Sequence, residues 1–355
     1  MAYFQLCNIF AKKISRMRIV GLGNALTDVL ARLHSDECFD EMGLLKGGMQ
    51  LIDEEKLLRI MSVFEGLETT LASGGSAANA VSGVARMGIE SGFIGKIGRD
   101  AYGRFFREDM ERNGVQTLLI EGEQASGCAM TMITPDGERT FGTFLGAAAT
   151  LCAEELSVEM FEGYDILHIE GYLVQDASLI LRAVQLAKEA GLSVSFDMAS
   201  YNVVKDNYAI IRDLVENYVD ILFANEEEAL AYTGEEPRKA TEILSRYCRI
   251  VVVKCGAQGS FVGCEGIITE VPATPEVRVD STGAGDLYAA GFLYGMSKGR
   301  SLGTCAIIGS IAASEIIGSL LAGRVIKVIG TKMSDEIWTE IKLKVSSMVA
   351  EDIRH

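Results

Sequence analysis

The chain has 355 residues, of which 48% are hydrophobic and 23% charged, and its formal net charge is −16. This length accommodates one large α/β domain with an appendage, or two domains, and no apolar run reaches the roughly 20 residues that cross a bilayer. Because binding to nucleic acid or to an anionic membrane requires a basic face, this charge argues against both partners and favours a small ligand.

Cysteine and histidine content argues against a disulfide scaffold and against a zinc site. Eight cysteines are sparse in a chain of this length, and none lies in a Cys-x-x-Cys pair. With three histidines, no zinc-type set of ligands is visible. We therefore interpret the cysteines as small buried residues of a cytoplasmic protein. Residues 1–16 lack the apolar core and cleavage site of a signal peptide. Because Met17 directly precedes the first predicted strand, we expect residues 1–16 to be an N-terminal extension outside the fold.

The first predicted elements each end in a polar or glycine-rich turn. A short apolar strand at 18–23 is followed by a turn that contains Asn24 and Asp28. A glycine turn at 73–75 then precedes a helix predicted over 80–87. Side chains at such strand and helix ends are able to reach a ligand.

A hairpin interrupts the chain further on. Two β-rich runs, 128–134 and 138–144, flank a Pro-Asp-Gly turn, which is typical of a β-hairpin. We expect a small β-sheet lid, inserted at about 30–52 and 114–146, that stands off the main body and closes over the site. The alternative is an edge extension of the main sheet.

From residue 166 onward, strands and helices alternate regularly. A strand at 166–169 and a helix at 177–190 form the first unit. Further strands follow at 193–197, 220–224 and 250–254. This alternation predicts an α/β fold with a mostly parallel central sheet flanked by helices in three layers. Ligands of such sheets bind beyond the carboxyl ends of the strands.

The segment with the clearest chemistry is 280–286, which reads Asp-Ser-Thr-Gly-Ala-Gly-Asp and precedes a helix predicted over 287–295. Gly283 and Gly285 allow backbone N–H groups to converge at a helix N-terminus, where an anionic oxygen is held. Asp286 is then placed to accept the proton of an attacking hydroxyl. Taken alone, the segment fits a helix-capping aspartate equally well.

The common nucleotide-binding signatures are absent from the sequence. No Gly-x-x-x-x-Gly-Lys-Ser/Thr motif occurs. Gly21 and Gly23 match the first two glycines of the dinucleotide-binding motif Gly-x-Gly-x-x-Gly, but Leu26 occupies the position of the third. A Walker-type NTPase and a dinucleotide enzyme are therefore both disfavoured.

A second glycine turn contains Gly74, Gly75 and Asn79. The glycines permit close backbone approach to a ligand, and the asparagine amide offers both a donor and an acceptor to sugar hydroxyls. In isolation, a plain loop with an asparagine cap is the better interpretation.

The two glycine turns in this order, with Asp28 ahead of them, resemble the signatures of the ribokinase family, the PfkB-type carbohydrate kinases, which includes adenosine kinases. The resemblance runs over about 17–321 and includes segment 94–103 and the lid hairpin at 136–139. It implies a ribokinase-like α/β domain over 17–355 and an ATP-dependent phosphotransferase that acts on an alcohol group of a sugar or nucleoside.

The resemblance also implies the roles of individual residues. Asp286 matches the catalytic base, and the backbone of Gly283, Ala284 and Gly285 matches the anion hole for the phosphoryl group. The positions that match acceptor-binding residues are Asn24, Asp28, Gly74, Gly75, Ser76 and Asn79.

Nucleotide and metal positions follow from the same resemblance. The residues that match the nucleotide site are Asn225, Glu228, Lys254, Gly256 and Gly259. Glu228 would help to order Mg²⁺ indirectly, although a charged helix start is the alternative for this segment. Asp280 resembles the family's monovalent-cation site, which implies an ion such as K⁺.

The acceptor is the least determined part of the sequence interpretation. Neutral Ser76 and Ala77 offer no cation for a sugar phosphate, and the two turns resemble those of adenosine kinases. We expect adenosine or a related nucleoside, phosphorylated at its 5′-hydroxyl. The alternatives are a free sugar (ribose, fructose or a keto-deoxy sugar acid) and a non-catalytic ligand sensor on the same fold.

An apolar slot for the base and a dimer interface are further expectations. Leu26, Met49 and either Phe141 or Phe144 are candidates for the slot, and ordinary core positions are the alternative for each. The resemblance also implies a homodimer formed through the lid.

Overall fold

The structure, a computed structural model, describes residues 17–136, 138–273, 283–321 and 333–352. The predicted extension at 1–16, Gly137 of the hairpin turn and the proposed cation ligand Asp280 lie outside the described residues.

The described strands belong to two sheets. They are β1 (Ile19–Leu22), β2 (Leu26–Arg32), β3 (Gly48–Leu51), β4 (Thr69–Gly74), β5 (Ser91–Gly98), β6 (Val115–Gly122), β7 (Gly127–Ile133), β8 (Arg139–Phe144), β9 (Ile166–Glu170), β10 (Ser193–Asp197), β11 (Ile221–Asn225), β12 (Ile250–Lys254), β13 (Ser260–Cys264) and β14 (Ile267–Val271).

The described helices surround the larger sheet and cover one face of the smaller one. They are α1 (Cys38–Met42), α2 (Glu54–Phe64), α3 (Ser76–Arg86), α4 (Ala101–Arg112), α5 (Ala177–Glu189), α6 (Tyr201–Asp206), α7 (Tyr208–Asn217), α8 (Glu226–Thr233), α9 (Pro237–Leu244), α10 (Ala284–Ser297), α11 (Leu302–Leu321) and α12 (Asp335–Asp352).

The larger sheet confirms the predicted three-layer α/β architecture. Within the described residues its order is β14-β13-β12-β11-β10-β9-β1-β5-β6, and it is parallel from β12 to β6. Its last two strands, β13 and β14, are antiparallel. The central parallel strands β9, β11 and β12 are almost continuously buried because helices cover both faces.

Alternation of side chains along each strand divides the core between the two faces. Phe223 of β11 packs edge-on against Phe292 of α10, with ring centroids 5.5 Å apart. Its neighbour Leu222 lies in the opposite apolar cluster with Leu214 of α7. Successive residues of one strand thus reach opposite helix layers.

The smaller sheet has the order β3-β8-β7-β2-β4 in the described part of the chain. β7 and β8 pair antiparallel, which confirms the predicted hairpin. One face of this sheet is covered by α1 and α2 through a separate apolar cluster that includes Met42, Ile60 and Met130. The smaller sheet therefore has its own core beside the large sheet.

Three observed boundaries differ from the predicted ones. The smaller sheet also takes β4 at Thr69–Gly74, outside the predicted insertion, whereas Val115–Gly122 of that insertion pairs with β5 in the large sheet. Helix α3 begins at Ser76 rather than at residue 80.

Of the helices within the described ranges, none has both the length and the hydropathy to cross a membrane.

Candidate active site

The carboxyl ends of the central strands bring polar residues from distant parts of the chain to one edge of the large sheet. Asn24 follows β1, while β9, β10, β11 and β12 end at Glu170, Asp197, Asn225 and Lys254. Because parallel strands end at the same edge, these five residues lie along a single cleft margin. The N-termini of α3 and α10 meet the same edge.

Asp286 lies in the first turn of α10 and links this helix to α3. Its Oδ1 accepts a hydrogen bond from Ser76 Oγ at 2.7 Å, and its Oδ2 accepts one from Asn79 Nδ2 at 2.9 Å. Burial raises the pKa of Asp286 to about 6, against these two hydrogen bonds, with a further upward contribution from the charge of Asp197. A carboxylate with this pKa is suited to accept a proton near neutral pH.

Two glycines shape the approach to Asp286. Gly283 precedes α10 with φ of 90°, a left-handed conformation that glycine adopts without strain. Gly83 lies where α3 crosses α10, and a Cβ there would come within 2.8 Å of Ala290 and Leu287. The missing side chain lets the two helices approach closely enough for the three-residue network around Asp286.

The glycines at 74 and 75 serve the chain's own packing. A Cβ at Gly74 would lie 2.4 Å from Oδ1 of Asp28, and one at Gly75, whose φ is 99°, would lie 2.2 Å from the backbone oxygen of Asn24. We predicted close approach to a ligand here. The structure shows instead that the backbone at these glycines closely approaches Asp28 and Asn24, two of the predicted acceptor-binding residues. This contact brings both residues to the start of α3.

Glu170 is a site residue that the sequence analysis missed. It is 1% exposed, and it accepts hydrogen bonds from the backbone N–H and the side-chain amide of Asn24 at 2.9 and 2.6 Å, and from Ala77 N at 3.0 Å. Burial raises its pKa to about 7 in spite of these donors. Gly23 has no room for a side chain, because a Cβ would lie 2.4 Å from Glu170 Oε2. A charged residue at the end of an otherwise apolar strand was the available signal.

Asp197 was also missed, and it pairs with Lys254. The ammonium nitrogen lies 3.0 Å from Asp197 Oδ2 in a largely buried ion pair. Burial opposes the charged form of each partner, but the attraction between them lowers the pKa of Asp197 and raises that of Lys254. Next to this pair, burial together with the charge of Asp197 raises the pKa of Glu228 to about 7.

The turn after β12 contains two glycines in left-handed conformations. Gly256 has φ of 51° and Gly259 has φ of 93°, and a Cβ at Gly259 would lie 2.0 Å from the backbone oxygen of Val271. These glycines let the chain reverse tightly into β13 beside Lys254.

One face of the smaller sheet carries Asp28 together with several apolar side chains. Residues opposite each other in register share a face, which assigns Leu30, Met49, Leu51 and Phe141 to the face of Asp28. Met49 and Leu51 are 56% and 60% exposed. Leu26 of β2 belongs to the same face by its spacing of two from Asp28.

Phe144 lies on the other face of the smaller sheet. It is three residues from Phe141 on one strand, and it packs against the apolar cluster beneath α1 and α2. Of the two phenylalanines proposed for the slot that binds the base, only Phe141 therefore lies on the face of Asp28.

Comparison with known proteins assigns the chain to a family. The sequence profile of the pfkB family of carbohydrate kinases matches residues 42–327. The chain belongs to the pfkB family. It is thus an ATP-dependent kinase of a sugar or a nucleoside, as the two glycine turns predicted.

Individual relatives of this kinase differ in their acceptors. An uncharacterized sugar kinase of Archaeoglobus fulgidus is 32% identical over 66% of this chain and 94% of the relative. Adenosine kinase from Sinorhizobium meliloti, whose crystal structure is known, is 33% identical in sequence. Its structure superposes with a TM-score of 0.74, over 88% of this chain and 99% of the adenosine kinase. A probable sugar kinase from Rhizobium etli is 29% identical, with a TM-score of 0.79 over 93% and 98%.

The kinase uses ATP, and Mg²⁺ generally accompanies ATP in phosphoryl transfer. Both carboxylate oxygens of buried Glu228 already accept hydrogen bonds from Asn225, from its backbone N–H at 2.7 Å and its side-chain amide at 2.8 Å. No group of three or more acidic, His or Cys side chains in the described ranges is arranged to hold a metal by itself. An Mg²⁺ ion bound with ATP would then be held mainly by phosphates and water, and Glu228 would act on it indirectly.

Proposed function

We propose that this kinase transfers the γ-phosphoryl group of ATP to the 5′-hydroxyl of adenosine or a related purine nucleoside, with Asp286 as the general base. The observation that carries the nucleoside assignment is the face of the smaller sheet that Asp28 shares with Leu30, Met49 and Phe141. A ribose needs only polar partners, whereas a purine base requires an apolar surface of this kind.

The proposed chemistry follows from the position of Asp286. The carboxylate takes the proton of the acceptor hydroxyl while the oxygen of that hydroxyl forms a bond to the γ-phosphorus. The bond from this phosphorus to the bridging oxygen of the β-phosphate breaks, and ADP is released. The backbone N–H groups of Gly283, Ala284 and Gly285 would hold the phosphoryl oxygens at the N-terminus of α10. Mg²⁺, when bound, neutralises charge on the phosphates.

Acceptor hydroxyls would be held by Asn24, Asp28 and Asn79. Because the Asn24 amide nitrogen donates to Glu170, its carbonyl oxygen is left to accept from a substrate hydroxyl. The backbone approach at Gly75 fixes the distance between this turn and α3. The 33% identity to the adenosine kinase of Sinorhizobium meliloti supports the same class of acceptor.

A free sugar such as ribose, fructose or a keto-deoxy sugar acid is the second candidate. Two of the relatives are described as sugar kinases, and the hydroxyl-binding residues suit a sugar without a base equally well. On this alternative, the apolar residues that share the face of Asp28 would serve another purpose, such as the predicted lid-to-lid dimer.

Coupled measurement of ADP release distinguishes the candidates. The wild-type protein is assayed with adenosine, inosine, ribose, fructose and a 2-keto-3-deoxy sugar acid, with acceptor-free reactions to subtract ATP hydrolysis. We expect the highest kcat/KM with adenosine or inosine. Phosphorylation of fructose but not of adenosine would reverse the ranking, and acceptor binding without turnover for every compound would favour a ligand sensor.

A further inference from the structure

A buried ion pair lies beside the N-terminus of α10, in a part of the site that the base and the acceptor residues do not occupy. Lys254 ends β12 and Asp197 ends β10, with β11 between them. Their side chains are only 16% and 9% exposed, and Nζ lies 3.0 Å from Oδ2.

Gly285 shows where the ammonium group is directed. A Cβ built on Gly285 would lie 3.2 Å from Lys254 Nζ. Apart from its chain neighbours and the backbone of its own helix, no other heavy atom of the described residues would come as close to that Cβ. Gly285 is the second residue of α10, so Nζ adjoins the first-turn N–H groups that have no partner within the helix. The ammonium and the helix N-terminus thus face the same small volume.

The charges around Lys254 keep it protonated. Although burial alone would lower the pKa of Lys254, the carboxylates of Asp197, Glu228 and Asp286 raise it above its ordinary value. An ammonium has three N–H donors, and among the described residues its hydrogen-bond acceptor is Asp197 Oδ2. Donors remain for a negatively charged oxygen.

We propose that Lys254 is a catalytic residue that donates hydrogen bonds to an oxygen of the phosphoryl group in flight, and that Asp197 is the positioning residue that holds the ammonium against α10. This inference rests on the proposed transfer at the N-terminus of α10. As the phosphoryl group leaves ADP for the acceptor oxygen, charge spreads over its three equatorial oxygens. Lys254 stabilises that charge without giving up a proton.

The simplest variant, Lys254→Met, leaves Asp197 buried without its partner and therefore endangers folding. The double variant Asp197→Asn/Lys254→Met removes both charges and avoids this cost. We expect both variants to lower kcat by about 10²- to 10³-fold, the effect of losing one donor to a transition-state oxyanion. KM for the acceptor should change by less than about threefold, because the acceptor residues are untouched.

Asp197→Asn alone keeps the ammonium and removes its holder. We expect kcat to fall by about tenfold, since the cation is then less well placed in the transition state. An unchanged kcat in this variant would remove the positioning role of Asp197.

Lys188 provides a matched control at the opposite edge of the same sheet. Its Nζ lies 2.5 Å from Oδ2 of Asp220, which directly precedes β11 and also accepts from Val194 N near the start of β10. Lys188→Met removes a Lys–Asp ion pair that is more exposed, at 35% and 30%, and lies far from the strand ends that form the site, and we expect wild-type kcat.

All variants are assayed with the acceptor that the wild type uses fastest, so the test does not depend on which acceptor that is. A folded double variant with kcat within about threefold of wild type would overturn the role of Lys254 and reduce the pair to a structural one. Wild-type turnover by Asp286→Asn would instead overturn the placement of the reaction itself. The two failures are therefore separable.

Discussion

At the scale of single residues, the proposed base is held by two donors from α3, Ser76 and Asn79. Because a positioned general base contributes about 10²- to 10⁴-fold, we expect Asp286→Asn to lower kcat by that factor with little change in ATP affinity. Steady-state ADP release and ATP titration measure both. Asp176→Asn, which alters a carboxylate that caps α5, is the control and should retain full turnover.

The dependence of wild-type kcat on pH should reflect the same carboxylate. With the pKa of Asp286 raised to about 6, its basic form prevails above that pH and is lost as the pH falls through it. We therefore expect kcat to fall as the pH is lowered through about 6.

Glu170 joins the turn after β1 to the first turn of α3, so its replacement should loosen acceptor binding selectively. A glutamine keeps the shape but presents an NH₂ group to one of the donors on Asn24 or Ala77. We expect Glu170→Gln to raise KM for the acceptor by about tenfold, the effect of one lost hydrogen bond to a charged group, with KM for ATP unchanged. Equal increases in both KM values would indicate a general loss of structure instead.

At the scale of elements, the two faces of β8 make separate predictions for two phenylalanines. Phe141 shares the face of Asp28, and Phe144 packs on the cluster beneath α1 and α2. We expect Phe141→Ala to raise KM for a nucleoside with little effect on Tm. Phe144→Ala should lower stability by about 2 kcal/mol, a part of the cost of a fully buried phenylalanine, and leave KM unchanged. Thermal melting and acceptor titration of the pair test the assignment, and the reverse pattern would contradict it.

At the scale of the whole molecule, the site concentrates carboxylates that are costly to ionise. Burial raises the pKa of Asp286 to about 6 and those of Glu170 and Glu228 to about 7. Because these values exceed those of the unfolded chain, the stability they contribute is present at low pH and is lost as the pH rises through about 6 to 7. Lower pH also reduces the self-repulsion of a chain with net charge −16.

We therefore expect Tm to be higher near pH 5.5 than near pH 8. Calorimetry of wild type and of Asp286→Asn across this range checks it, because the variant lacks one of the three ionisations and should show a flatter dependence. A Tm that rises steadily with pH would contradict the assignment of raised pKa values.

The order of strands and helices, the parallel sheet and the two glycine turns were predictable from the sequence because each depends on local pattern. Alternation of apolar strands and helices favours a parallel sheet, and a glycine turn before a helix favours an anion site. Local pattern left Asp286 and Asn79 open between a cap and a functional residue, and the family resemblance implied their roles; the structure brings the two side chains to 2.9 Å from each other.

The contacts of Glu170 and Asp197 became known only in the folded chain, although a charge at a strand end was a signal in the sequence. Each is a single carboxylate at a strand end, and neither has a spacing in sequence that distinguishes it from a surface charge. Their roles depend on which strands become neighbours, since that order places Glu170 beside Asn24 and Asp197 beside Lys254. The sequence by itself thus indicated the fold and, through its resemblance to a family, the kinase activity and the proposed base, whereas the tertiary structure decided which buried charges surround that proposed base.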